Sequence, residues 1–264
     1  MGDVPIRRVV RYLGSGGAGG SRPIVVLADD GKPVHVKLQA NPQSTRSLVN
    51  DWIGTVLATR LGLPVPRPVL VDIPFEDLER VPPLTRVRWR PGLQFGTEWL
   101  VDARPVLRRD LPRLLNLDDL PALALFEAWV YNEDLKWSHL LAVPEADGLR
   151  LVVADHGFIF PGGPRWTPDD LTRYVRRWPS LAPLSALALS VPHAYRFEPA
   201  LERLGTLGPA EIAAVLEAIP PEWGCSARRR RAALAFLVAR RPRLRTLAHR
   251  LEALWAGPCP PSPH

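Results

Sequence analysis

Apolar and polar residues alternate loosely over the first forty positions, and beyond Pro105 the apolar residues recur mostly at helical spacing. Residues 6–13 and Pro23-Ile24-Val25-Val26-Leu27 are predicted strands, separated by Gly14-Ser15-Gly16-Gly17-Ala18-Gly19-Gly20-Ser21. Asp29-Asp30-Gly31-Lys32 reads as a turn. In the third strand Val34, Val36 and Leu38 form one face, and His35 and Lys37 the other. The opening is therefore expected to be an antiparallel β-meander with a glycine loop at its first corner. A helix follows, capped at or near Ser47. Its apolar stripe is Leu48, Ile53, Val56, Leu57 and Leu61, and Gly62-Leu63-Pro64-Val65-Pro66 ends it. Val69 to Ile73 is the next strand, 74–86 a loop, and Val87-Arg88-Trp89 and Gln94 to Val101 further strands.

From Pro105 the pattern changes. Leu107 to Leu117 and Leu120 to Val130 carry helical spacing. Leu140 to Val143 and Leu149 to Val153 can pair as a hairpin, and 156–180 reads as a long loop with one helix. Pro209 opens a helix with Ile212, Val215, Leu216 and Ile219 on its stripe, and Pro220-Pro221 closes it. Ser226 can cap a last long helix through Leu234, Leu237 and Val238, with a further one over Leu244 to Trp255. The chain thus divides into a β-rich part with one helix (1–103), a helical part (104–256) and a Pro-rich tail (257–264) expected to be disordered.

Composition narrows the function classes. At 264 residues the chain can bury a sizeable core. It has no run of about 18 apolar residues and no signal-peptide pattern at its start, so it is expected to be soluble, cytoplasmic and free of the membrane. Cys225 and Cys259 are too few for a disulfide framework and are expected as free thiols. A net charge of +7 invites a nucleic-acid reading, with Arg228-Arg229-Arg230-Arg231 as the densest basic run, continued at Arg240-Arg241. The plainer reading is a solvated basic helix face. Lysine is more telling: there are only three, Lys32, Lys37 and Lys136. In so Lys-poor a chain a lysine is expected where a compact point charge is needed and the planar arginine fork does not serve.

Two of the three lysines fall on chemistry-bearing stretches. Glycines 14, 16, 17, 19 and 20 with Ser15 and Ser21 suit a loop whose backbone N–H groups approach phosphates, though such a stretch can also be a flexible turn. Lys37 can pair nucleotide phosphates while a carboxylate on the next helix, Asp51, holds it; alone it would read as an exposed strand lysine. In Asn132-Glu133-Asp134-Leu135-Lys136, Asp134 can accept a hydroxyl proton and Lys136 can neutralise a phosphoryl group. Asp155, after Leu151-Val152-Val153-Ala154, is a carboxylate at a strand end that can hold Mg²⁺. The bland alternatives are a polar helix end and an ordinary turn aspartate.

These residues also carry a resemblance. Asp134-Leu135-Lys136-x-x-His139-Leu140-Leu141 resembles the protein-kinase catalytic loop, D-L-K-x-x-N-L-L, and Asp155-His156-Gly157 resembles the D-F-G element. Val36-Lys37, Asn50-Asp51, Leu61-Gly62-Leu63-Pro64-Val65-Pro66, Trp129-Val130-Tyr131-Asn132-Glu133-Asp134 and Ile219-Pro220-Pro221-Glu222-Trp223 make the chain most similar to the HipA-like kinases of bacteria. The resemblance implies an α+β, bilobal protein-kinase-like fold, related to the phosphatidylinositol-kinase branch, with ATP in the cleft. It implies Lys37 on the α/β-phosphates, Asp51 holding Lys37, Asp134 as base and Asp155 as Mg²⁺ ligand. It puts His139 at the second metal-ligand position, where the family has Asn; an imidazole there suits Mn²⁺ better than Mg²⁺. The implied activity moves the γ-phosphate of ATP to a hydroxyl on a protein, itself included, or on a small molecule. The alternatives are a nucleotide-binding pseudokinase acting as an interaction module, and a nucleic-acid binder using Arg228 to Arg231.

Overall fold

The computed structural model describes residues 4–17, 19–74, 76–77 and 90–256. The strand expected at Val87-Arg88-Trp89 and the tail at 257–264 lie outside them. Three strands, β1 (Ile6–Ser15), β2 (Ile24–Ala28) and β3 (Pro33–Lys37), form the expected antiparallel meander. The sheet does not stop there. With β4 (Pro68–Ile73) and β5 (Gly92–Glu98) it closes into a barrel of order β1-β2-β3-β5-β4, and β4 runs parallel to β1 with Ile6 opposite Leu70. An open meander would leave Val9, Val26, Val34 and Val36 wet on one face. Closure buries them with Val69, Val71 and Ile73 in a core of their own.

Helix α1 (Thr45–Arg60) follows the glycine-loop strands. Its cap is Ser44, whose hydroxyl accepts from the N–H of Arg46, and not Ser47, which lies one turn inside and turns its hydroxyl to the Ser44 carbonyl. Ser44, Thr45 and Ser47 are all short polar residues that fit the sequence pattern; the Ser44 N–H donates to the Asn41 carbonyl just before the helix. Every α1 residue from Ser47 to Ala58 is buried, so the helix is enclosed on all sides. It belongs to the large core that also takes in the remaining helices.

The helical stretch expected over Leu107 to Leu117 is instead two short 3₁₀ turns, Arg108–Arg113 and Leu117–Asp119. Pro112 has no N–H to continue an α-helical ladder, and Asp110 takes the N–H of Leu107 and the guanidinium of Arg104. Helix α2 (Leu120–Val130) is buried at every position and ends where Tyr131 turns left-handed at φ 59°. A three-stranded sheet follows, β6 (Arg104–Pro105), β7 (Leu140–Glu145) and β8 (Gly148–Val153), with β7 and β8 as the expected hairpin. The outer edge of β8 is engaged at Leu149, Leu151 and Val153. Leu115 N–H donates to the Leu149 carbonyl, the Asn116 side chain both donates to and accepts from Leu151, and Val153 N–H donates to the Pro64 carbonyl. Helices α3 (Pro168–Tyr174), α4 (Ala182–Leu189), α5 (Glu198–Gly205), α6 (Pro209–Glu217), α7 (Ala227–Arg240) and α8 (Leu244–Trp255) complete the chain. Among the described residues no helix is long and apolar enough to cross a membrane.

The basic run of α7 divides by position. Arg228 and Arg231 are exposed; Arg229 is half-buried, lies 4.1 Å over the Trp166 ring and donates to its carbonyl. Arg240 is fully buried, against the expectation of a basic surface run. Its guanidinium donates to the Ala128 and Trp129 carbonyls at the end of α2 and to those of Tyr174, Val175 and Arg177 at the end of α3. Two negative helix ends thus meet one cation. Burial pushes its value down to about 9, which leaves it charged at neutral pH. Arg240→Met should lower the unfolding free energy by about 3–5 kcal/mol, because five carbonyl groups lose their donor. Arg240→Lys should recover less than half, since an ammonium cannot span the two helix ends. Urea unfolding of the three proteins measures this.

Candidate functional site

Strand β3 ends at Lys37, whose neighbours Val34 and Val36 face the barrel core. The alternation sends Lys37 to the opposite side, under α1. There its ammonium is buried and donates to both Asp51 oxygens, at 3.0 and 2.9 Å, and to Asp155 Oδ1 at 2.8 Å. One cation serves two carboxylates. Burial works to lower the Lys37 value, but Asp155 and Asp51 outweigh it and the net shift is upward. The two acids divide unequally. Burial pushes Asp51, the more enclosed, up to about 6 against the pull of Lys37. Asp155 feels burial too, but Lys37 and the Gly157 N–H hold it well below the usual carboxylate range.

Asp155 stands just past the end of β8 in a left-handed conformation, φ 73°. The tight corner that follows is pinned by α1: His156 N–H donates to Asp51, and the Asn50 amide donates to the carbonyls of Gly157 and Ile159. Trp166 in turn donates to Asn50 at 3.0 Å. A Cβ at Gly157 would sit tightly, 3.1 Å from Asp51 Oδ2 and 3.2 Å from Asp155 Oδ1.

These groups floor a cleft of about 800 Å³. Gly16, Gly17, Gly19, Gly20 and Ser21 border it on one side, and Asp134, Lys136 and His139 on the other. Gly14 and Ser15 sit within β1, opposite Val25 and Ile24, and do not border it. The glycine loop therefore starts at Gly16, whose N–H donates to the Pro23 carbonyl. A narrower recess of about 210 Å³ adjoins, lined among others by His35, Thr97, Trp99, Leu100 and Leu141. Burial and the nearby Lys37 push His35 down to about 4, so it is a neutral ring there, stacked on Trp99.

Asp134 follows α2 by a short loop. Its N–H donates to the Asn132 side chain, and Lys136 lies 2.7 Å from its carboxylate. His139 is held in a 3₁₀ turn, Trp137–His139, and Nδ1 is buried without a hydrogen-bond partner. Burial lowers its value, so the ring is neutral at pH 7 and able to ligate a metal. Among the described residues no three His, Cys, Asp or Glu side chains gather as a metal site. Two protein donors, Asp155 and His139, border the same cleft, which fits a cation that completes its shell with phosphate oxygens and water.

Sequence reasoning missed a second layer beneath the cleft. Glu127, fully buried on α2, lies 3.2 Å from His156 Nε2 and accepts from the Asn132 amide at 2.8 Å. His156 Nδ1 is 3.1 Å from the Thr55 hydroxyl. Burial alone would lower the His156 value; Glu127 outweighs it and the shift is upward. One signal was available: Glu127 is the single charge in the run Leu120 to Val130, and a charge on an all-apolar helix has to be paired. Asn50 and Trp166 gave no comparable sign.

A protein family described as HipA-like kinase matches residues 9–160. Among solved structures, the Helicobacter pylori proinflammatory kinase CtkA is similar over 95% of this chain and 99% of its own, at 12% identity and a TM-score of 0.58. The Golgi casein kinase with Mn/ADP bound is similar over 96% of this chain and 74% of its own, at 12% identity and a TM-score of 0.55. At such identities the likeness is one of fold. No curated protein matches the chain.

The unequal acids make a test. Asp51 is raised when folded, so its contribution to stability is full below about pH 4 and is lost as pH rises towards about 6. Asp155 is lowered when folded, so its contribution is present above the ordinary carboxylate range and lost only as pH falls below it. Between about pH 4 and 6 the wild type should therefore lose up to about 3 kcal/mol relative to Asp51→Asn. Urea titrations of both proteins across this window measure the difference. Parallel stability curves would show that Asp51 does not hold the extra proton.

Proposed function

The chain belongs to the HipA-like kinase family, and on that footing we propose that it moves the γ-phosphate of ATP to a hydroxyl of a protein serine or threonine, its own included. The observation that carries this reading is the Lys37 ammonium shared between Asp51 and Asp155 at the floor of a glycine-bordered cleft. We read the β-barrel with α1 as a small lobe and the helical remainder as a large one, with the boundary near residue 103.

In this reading the nucleobase enters the recess beside His35 and Leu100, and the phosphates lie under the N–H groups of the loop from Gly16 to Ser21. Lys37 pairs the α/β-phosphates while Asp51 keeps its ammonium in place. The acceptor oxygen forms a bond to the γ-phosphorus, the bond to the bridging oxygen breaks, and ADP leaves with that electron pair. The acceptor proton passes to Asp134, and Lys136 offsets charge on the phosphoryl oxygens. A bound Mg²⁺ or Mn²⁺ neutralises phosphate charge. Asp155 and His139 are the side chains that would hold it, and the imidazole favours Mn²⁺.

A second reading, a nucleotide binder that does not transfer, draws on two departures from the family: His139 supplies nitrogen where it has an amide oxygen, and Asp51 stands where it has Glu. Labelling with γ-phosphate-labelled ATP separates the two. Asp134→Ala should reduce transfer about 10²–10⁴-fold. That variant should keep the thermal stabilisation by nucleotide, about 2.7 kcal/mol at a hundred times the dissociation constant. Asp155→Ala should lose transfer and also the part of the stabilisation that needs metal. Unchanged labelling in both variants sinks the phosphotransfer reading; a nucleotide shift in a wild type that never labels supports the second.

A further inference from the structure

The buried polar groups beneath the cleft form one continuous chain of hydrogen bonds. Asp134 N–H donates to Asn132 Oδ1 at 3.1 Å, and the Asn132 amide donates to Glu127 Oε2 at 2.8 Å. The other oxygen, Oε1, lies 3.2 Å from His156 Nε2, and His156 Nδ1 lies 3.1 Å from Thr55 on α1. The His156 N–H returns to Asp51, the residue that holds Lys37. His156 is also packed without slack: its ring meets Phe126 edge-on, and a Cβ on Gly54 would lie 2.5 Å from its own Cβ.

Stability alone does not explain this arrangement. An apolar pair of similar volume at 127 and 156 would hold the core as well or better, because a buried ion pair seldom recovers its desolvation. What the polar pair adds is direction. Each oxygen of one fully buried carboxylate is committed, one to the Asp134 loop and one to the Asp155 loop. Resting on the phosphotransfer reading above, we propose that Glu127 and His156 are positioning residues, a buried cross-link that fixes the Asp134 loop and the Asp155 loop against each other and against α1. Neither side chain borders the cleft, so neither touches a reactant.

Four variants test this with three readouts: kcat and KM for ATP, melting temperature, and backbone hydrogen exchange over 132–136 and 154–158. Glu127→Gln can still accept from Asn132 and donate to a neutral His156, so kcat should stay within about threefold of the wild type. His156→Phe leaves Glu127 unpaired and should lower both kcat and melting temperature. The double variant Glu127→Leu with His156→Phe makes the pair apolar but leaves the Asn132 amide without its acceptor, so it should melt a few degrees below the wild type. It should nonetheless lose about 10–100-fold in kcat with little change in KM, and exchange faster in both loops. Thr55→Val, a near-isosteric change, should speed exchange over 154–158 only; because Thr55 borders the cleft, this exchange and not its kcat carries the test if the double variant does not fold. The proposal is overturned if the double variant keeps wild-type kcat and exchange, or if Glu127→Gln loses as much as the double variant. A wild type without transfer would defeat the phosphotransfer reading and leave the exchange readout to decide the cross-link by itself.

Discussion

The shared Lys37 ammonium is the constraint on which the rest of the molecule depends. One buried cation joins a strand of the barrel, the enclosed helix α1 and the corner after β8. Two carboxylates around one ammonium leave an excess negative charge, with Lys37 and Asp51 buried and Asp155 open to the cleft. Such a site is stable only if the backbone supplies further donors, and it does: His156 N–H to Asp51 and Gly157 N–H to Asp155. The left-handed Asp155, φ 73°, turns the chain so that those donors come within reach. In the phosphotransfer reading, a cation at Asp155 would relieve the same excess charge.

Much of this was legible before the fold was known. Lys37 stood out because lysine is scarce, and strand alternation set it apart from Val34 and Val36. The hairpin after the Asp134 loop, the cap at Ser226, the helix start at Pro209 and the helix over Leu120 to Val130 follow from spacing and end signals. What spacing could not give was anything made by distant parts of the chain meeting. Barrel closure depends on β4 returning beside β1, a pairing without a local sign. Helical periodicity over Leu107 to Leu117 was overridden by Pro112 and by the Asp110 cap.

Arginine was the hardest residue type to read. In a chain this rich in it, position along α7 does not separate a solvated cation from a structural one. Arg228 and Arg231 face water, Arg229 stacks on Trp166, and Arg240 is enclosed by the ends of two helices. The difference lies in which residues from 128–129 and 174–177 arrive nearby. A formal charge of +7 thus overstates the charge available to partners, since part of it compensates helix dipoles inside the protein.

The engaged outer edge of β8 has a consequence for accuracy. A border strand is ordinarily free to slide by two residues or to accept a foreign strand, because its outward amides are unclaimed. Here Leu115, Asn116 and Pro64 claim the outward groups of Leu149, Leu151 and Val153 one by one. The strand is indexed like a ruler against a stop: any slip would break all these bonds together. The height at which Asp155 emerges is therefore set also by Leu115, Asn116 and Pro64 along β8, and not by the carboxylate's own contacts alone.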